Sequence, residues 1–225
     1  MLGGSSFGFR FDVRAHQELK LREQEKEGED TAMETDFTTI DYLKEGGARQ
    51  REAYDELTRL GLMEALASHK PLLAGTIPLG IDLLGSDLDI LCEVYDFDRF
   101  EKEVREFAGG QPAFRCSRRT VNGMPRFVAS FQSGVFPVEI FAQPLPTTSQ
   151  NGYRHLVVEH RLLLRMGDAG RRTVRRLKAA GRKTEPAFAE LLGLEGDPYA
   201  RLLELERCTD AELDELVEGA RSKWS

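Results

Sequence analysis

The sequence predicts an α+β fold: a mixed β-sheet with flanking helices, followed by a C-terminal helical part. Three observations predict it. Apolar spacing changes near Pro71 from three-residue helical steps to short, mostly buried runs. Between residues 113 and 142 three alternating runs are divided by Asn122-Gly123 and Ser133-Gly134, which are hairpin signals. After Pro146 the helical spacing returns and persists to the end.

Residues 1–36 open Gly/Ser-rich and pass into QELKLREQEKEGED, a stretch with charge at most positions and little to bury, so a disordered or loosely helical extension is expected. Met33 stands just before the first helix signals and is expected as an alternative translation start. From Thr38 to Ala67, Ile40, Leu43, Tyr54, Leu57, Leu60, Met63 and Leu66 mark amphipathic helices punctuated by Gly46-Gly47 and Gly61. PLLAGT (71–76) and SDLDILCEV (86–94) read as two strands separated by a turn segment containing Gly and Pro. A helix is expected at 97–107, then a meander from AFRCSRRTV, PRFVASFQ and VFPVEIFA. Helices are expected at 151–166, 168–180, 185–192, 198–206 and 210–220, the last opening on a Thr209 to Glu212 capping box. Thr184 is the expected N-cap of the 185–192 helix, with Glu185 suiting its dipole. The expected domains are therefore the extension (1–36), an α/β core (37–147) and the helical part (148–225).

Composition excludes several classes. Of the 225 residues 40% are hydrophobic and 31% charged, which suits a globular protein and excludes collagen-like or rod-like chains. No run approaches the ~18 apolar residues of a membrane span, and the opening lacks the order of a secretory signal. A cytoplasmic protein with no membrane partner is expected. Three cysteines, Cys92, Cys116 and Cys208, form no CxxC pair and hence no disulfide framework or zinc site; Cys92 reads as strand core. A net charge of −7 argues against bulk DNA binding, yet residues 161–183 carry nine basic side chains against one acid, Asp168. Such a block either steers an anionic substrate, nucleotide or RNA, or is a solvated helix face.

The chemistry-bearing residues follow the first strand. Asp87 and Asp89 flank Leu88 at a strand start, and alternation puts both carboxylates on one side, where they repel unless hard divalent cations sit between them. Glu139, between Val138 and Ile140, is a third acid in an apolar strand, and burying it without a metal or other partner is costly. Upstream, Gly75 would let backbone approach a phosphate, Thr76 offers a hydroxyl, and Ser86 sits directly before the aspartate pair. Asp82 lies in the intervening turn, either as a further ligand or as a cap of its own backbone. His155 and His160 lie about 140° apart around a helix, so one can face a cleft while the other packs, and His155 is the expected cleft residue. Arg161 is a further expected nucleotide contact. Gln143 reads as either a base-edge reader or a strand-end hydrogen bonder, and at most one of Arg118 and Arg119 points to the functional side.

With Gly75, Asp87-Leu88-Asp89 and Glu139 in this order, the sequence resembles the nucleotidyltransferase superfamily. That superfamily has a strand ending in Gly-Gly or Gly-Ser, an Asp-x-Asp on the next strand and a third carboxylate between hydrophobic residues. Thr76 departs from it, keeping a hydroxyl but crowding the turn. More closely, GTIPLGIDLLGSDLDI, VEIFAQP, YRHLVVEHR and KTEPAFAELLGLEGDPY look like an uncharacterised bacterial branch known only as a domain of unknown function, over about residues 38–206.

The resemblance implies a nucleotidyltransferase-like sheet and two-metal transfer of an NMP group from an NTP such as ATP, with pyrophosphate leaving. Asp87 and Asp89 would bridge two Mg²⁺ (or Mn²⁺) ions, with Glu139 on the one that activates an acceptor hydroxyl. Gly75, Thr76 and Ser86 would cradle the outer phosphates. His155 and Arg161 would lie along the nucleotide cleft. The implied acceptor is a small molecule, a protein or RNA, a choice the resemblance leaves open. Competing readings are an inactive nucleotide-binding regulatory module, a nucleotide-sugar glycosyltransferase using Asp87-x-Asp89, and an RNA-binding protein built on the 161–183 block.

Overall fold

The computed structural model describes residues 35–224. The expected extension falls outside them save for its last two residues, as does the start at Met33. The unit that begins at Phe37 is the one described here.

A 3₁₀ turn at Asp41–Glu45 leads into α1 (Ala48–Leu60) and the short α2 (Leu62–Ala65). Gly61 divides these two helices at φ +61°, a left-handed conformation that caps α1 through Leu57 and Thr58 carbonyls. Strand β1 (Leu72–Ala74) is followed by a looped segment and β2 (Leu88–Glu93), then α3 (Phe97–Ala108), capped by Asp96 accepting from the Arg99 amide. The meander is β3 (Arg115–Val121), β4 (Met124–Ser133) and β5 (Phe136–Gln143). The five strands form one mixed sheet in the order β1-β2-β5-β4-β3, with β2 and β5 parallel and the other pairs antiparallel. The α+β expectation is met.

Side-chain alternation decides what each sheet face does. Leu88, Ile90 and Cys92 of β2 and Val138, Ile140 and Ala142 of β5 point into a core shared with Leu57 of α1 and with Phe100 and Val104 of α3. Cys92 is buried strand core, as expected. Residues of the opposite parity, Asp89, Leu91, Glu139 and Phe141, line a cleft on the other face. α4 (Asn151–Ala179) forms one wall of that cleft. It approaches closely because Gly152 has no Cβ: one built there would lie 3.2 Å from Leu91 Cδ1.

The expected helices at 151–166 and 168–180 both form as the two halves of α4, divided at Gly167, whose φ 60° and ψ −160° interrupt the helical path. α5 (Thr184–Leu192), α6 (Pro198–Glu204) and α7 (Asp210–Ala220) follow. They surround a second apolar cluster with Leu156, Leu162, Phe188, Leu202 and Leu213, which also takes Leu79 and Ile81 from the loop between β1 and β2. The Thr209–Glu212 capping box forms reciprocally. Thr184, however, is the first helical residue, and Lys183 occupies the N-cap without a side-chain bond. The 86–94 strand also starts later than expected, at Leu88, because Ser86 Oγ is engaged in accepting from the Leu83 amide and closes a turn. No helix among the described residues is long and apolar enough to cross a membrane.

Candidate active site

Strand register assembles the site. Ala74 pairs with Asp89, Asp89 with Glu139, Glu139 with Ser130, and Ser130 with Arg115, so one rung runs across all five strands. Directly paired neighbours share a face, which puts Asp89 and Glu139 side by side although they are fifty residues apart in sequence. Arg115 ends the rung, its Nε donating to Ser130 Oγ at 2.8 Å.

The acids strain one another. Burial first, and then the Asp87 and Glu139 charges, push the Asp89 carboxyl up to about 8, with Lys178 opposing them. Glu139 is raised by burial and then by Asp87, against Arg119 and Arg115. Asp87, exposed and one residue ahead of β2, therefore acts on both partners without lying in the strand itself. Gly75 makes room for the arrangement. Its φ is +82°, and a Cβ there would meet Asp89 Oδ2 at 2.2 Å.

The loop after Gly75 folds back so that Thr76 Oγ1 lies 3.5 Å from Ser86 Oγ, bringing the two expected hydroxyls together beside the rung. It is held from behind by the basic helix: an Arg171 guanidinium nitrogen donates to the Leu79 carbonyl, and Lys178 Nζ donates to the Ile81 carbonyl at 2.9 Å. Asp82, read from sequence as either a further ligand or a cap of its own turn, is buried and acts on the Lys178 charge. Much of the 161–183 block is thus committed internally, since Arg165 pairs with Asp210 and Asp214 and Arg182 with Glu190. Arg172, Arg175 and Arg176 remain exposed.

The cleft above the rung has a volume of about 290 Å³ and is lined by Gly75, Thr76, Asp89 and Glu139 below and by His155, Glu159 and Glu185 on the helical side. His155 and Glu159 are one helical turn apart on α4. Only 4% of Glu159 is exposed, and burial with the added repulsion of Glu185 holds its carboxyl well above the ordinary range, Lys178 opposing. His155 is 7% exposed, and burial lowers its imidazole value with Arg154 adding and Glu185 and Asp197 opposing.

A model of the family described as a domain of unknown function, DUF4269, matches residues 55–205. The chain belongs to the DUF4269 family. No functionally curated protein matches it. Solved structures similar to the DUF4269 chain include Cid1 poly(U) polymerase with MgGTP bound, at 16% identity over 72% of this chain and 49% of that chain, TM-score 0.44. Cid1 in complex with its short product ApU is 15% identical over 76% of this chain and 53% of that one, TM-score 0.44. A cytoplasmic RNA terminal U-transferase is 15% identical over 68% and 46%, TM-score 0.41. The chain spans about half the length of these proteins.

Of the residues expected from sequence, Gly75, Thr76, Asp89, Glu139 and His155 line one cleft of the DUF4269 chain, with Ser86 and Asp87 at its edge through Thr76 and Asp89. Arg161 is directed elsewhere: its guanidinium donates to the Cys208 carbonyl at 2.9 Å and to Asp210 at 2.8 Å, tying α4 to the start of α7. His160 packs edge-on against Phe37 with ring centroids 5.0 Å apart, leaving His155 as the cleft histidine. Gln143 is buried, its carbonyl accepting from Val94 and Leu145 amides. Arg118 turns to α3, pairing with Asp98 and Glu101, whereas Arg119 acts on Glu139. Sequence reasoning missed Arg115, Glu159 and Glu185. Arg115 shares the parity of Arg119 and was recoverable from the hairpin register; Glu159 was signalled only by its spacing from His155.

Proposed function

We propose that this chain is a metal-dependent nucleotidyltransferase that moves an NMP group from an NTP to an acceptor hydroxyl and releases pyrophosphate. The observation that carries the reading is the paired Asp89 and Glu139 on one rung, with Gly75 cut away beneath the Asp89 carboxylate and two hydroxyls at its edge. The donor set suits hard divalent ions. Burial and the Asp87 charge raise both Asp89 and Glu139, and oxygen-only ligation of this kind is what Mg²⁺ or Mn²⁺ takes alongside substrate phosphates. Asp87, Asp89 and Glu139 would hold these ions, which when bound neutralise phosphate charge and ease deprotonation of the acceptor hydroxyl.

The chain's own groups supply the rest. Backbone amides at Gly75 and Gly85, both at positive φ, and the Thr76 and Ser86 hydroxyls would donate to the outer phosphates. Arg171 and Lys178 fix the carbonyl side of that loop, so its donors are oriented before substrate arrives. Arg115 and Arg119, across the sheet from the acids, add positive charge near Glu139, where an anionic substrate would approach.

The test is transfer of label from α-phosphate-labelled NTPs to RNA, protein or small-molecule pools in the presence of Mg²⁺. Label retained on an acceptor by wild type and not by Asp89→Asn supports the proposal. Nucleotide binding without transfer to any pool would instead favour a binding module, and release of sugar from a sugar nucleotide would favour a glycosyltransferase.

A further inference from the structure

The helical wall of the cleft carries a donor set that the transfer reading leaves unused. One ligand atom each from His155, Glu159 and Glu185 lies within 4.8 Å of the other two. His155 and Glu159 come from one face of α4, and Glu185 from the first turn of α5, which packs against it. Among the described residues no hydrogen bond joins any two of these side chains, and the buried His155 Nδ1 has no partner at all. A buried polar nitrogen left unpaired is costly, as is a buried carboxylate whose nearest acidic neighbour repels it. The Tyr199 ring stands edge-on to the imidazole at 6.2 Å and leaves the cleft side of the cluster open.

We propose that His155, Glu159 and Glu185 form a second metal site, for a borderline divalent ion of the Zn²⁺ class, distinct from the oxygen-only site of the sheet carboxylates. The chemistry separates the two. An imidazole nitrogen favours Zn²⁺ and its transition-metal neighbours over Mg²⁺, which prefers oxygen and retains its waters. Three protein ligands with the cleft open beside them is the ligand count of a zinc centre that keeps a fourth position for water or substrate. One divalent ion would satisfy a histidine nitrogen and neutralise two carboxylates together, which the single charge of Lys178, acting on Glu159 and Glu185 from beside the cluster, cannot do alone. His155 then serves this ion rather than a nucleotide base. The site does not depend on the transfer reading, because no sheet carboxylate takes part in it.

Equilibrium dialysis of the full chain against micromolar Zn²⁺, with millimolar Mg²⁺ present and no nucleotide, tests the proposal. Wild type is expected to retain one Zn²⁺ equivalent. His155→Ala and Glu159→Gln are expected to weaken retention at least ~10-fold, while Asp87→Asn/Asp89→Asn retains it like wild type. Because Glu159 is deep in the packing, Glu185→Gln serves as the second probe: it is half-buried at a helix start, and circular dichroism confirms that it folds. Absence of stoichiometric Zn²⁺ from wild type, wild-type retention by a folded Glu185→Gln, or loss in the double aspartate variant would each overturn it.

Discussion

The floor and the wall of the cleft bring acids together by different means. On the floor, Asp89 and Glu139 are placed by strand register, are partly exposed and have arginines at the far end of their sheet. On the wall, Glu159 is placed by a helical turn and Glu185 by the docking of a second helix; Glu159 is almost fully buried, and its compensation comes from Lys178, a residue already donating to a backbone carbonyl. Partly hydrated acids beside basic residues can wait for a charged substrate. Acids buried without a hydrogen-bonding partner need a resident counter-charge or a proton.

The largest effect distinguishing these regions is expected at the floor. Asp89→Asn should reduce NMP transfer by roughly 10³-fold, the scale on which removing one electrostatic stabiliser acts, with binding of free NTP reduced less; labelled-product kinetics check it. Next comes Gly75→Ala. The new Cβ meets the Asp89 carboxylate and is held at positive φ, so a loss of about 2 kcal/mol in denaturant stability is expected, together with weaker Mg²⁺ binding.

A pH experiment sharpens the contrast. The folded Asp89 and Glu159 carboxyls titrate above their unfolded values, so their contribution to stability is present below the ordinary carboxylate range and is lost as pH rises, for Asp89 through about 8. Metal-free protein should therefore lose stability between pH 4 and 8, an interval set by the Asp89 values. Glu159→Gln should flatten part of that slope and stabilise the metal-free protein at pH 8 by about 1–3 kcal/mol, since it removes a carboxyl whose ionised form burial disfavours while nearly preserving volume. Urea melts at both pH values measure it; equal slopes in wild type and variant would remove the wall from the account. The smallest effect is expected outside both regions. Arg161→Ala should cost less than about 1 kcal/mol and leave nucleotide affinity unchanged, because its exposed partner Asp210 is paired with Arg165 as well.

Legibility in the sequence followed the range of the interactions. The sheet was readable because alternation and the two Gly turns are local signals, and the capping box at Thr209 is confined to four residues. Asp89 and Glu139 could be named because an acid inside an apolar strand stands out, but their adjacency depends on the parallel pairing of β2 with β5, which no local pattern fixes. Glu185 looked like an ordinary first-turn acid, and only the packing of α5 on α4 turns it to the cleft. Arg161 failed in the opposite direction: it lies on the helix that forms the cleft wall, but its facing was set by Asp210, which the chain reaches only forty-nine residues later. The basic block combined both cases, since Arg171 and Lys178 turn inward to loop carbonyls while Arg172 and Arg175 stay in solvent.

Thermal denaturation with each NTP, with and without Mg²⁺, tests the central claim most directly when wild type is compared with Asp87→Asn/Asp89→Asn. A ligand at 100 times its dissociation constant adds about 2.7 kcal/mol. The account predicts a raised midpoint only with NTP and Mg²⁺ together, and only in wild type. A midpoint that no NTP shifts, or one that shifts equally in the double variant, would contradict the assignment of the sheet carboxylates as a nucleotide-metal site.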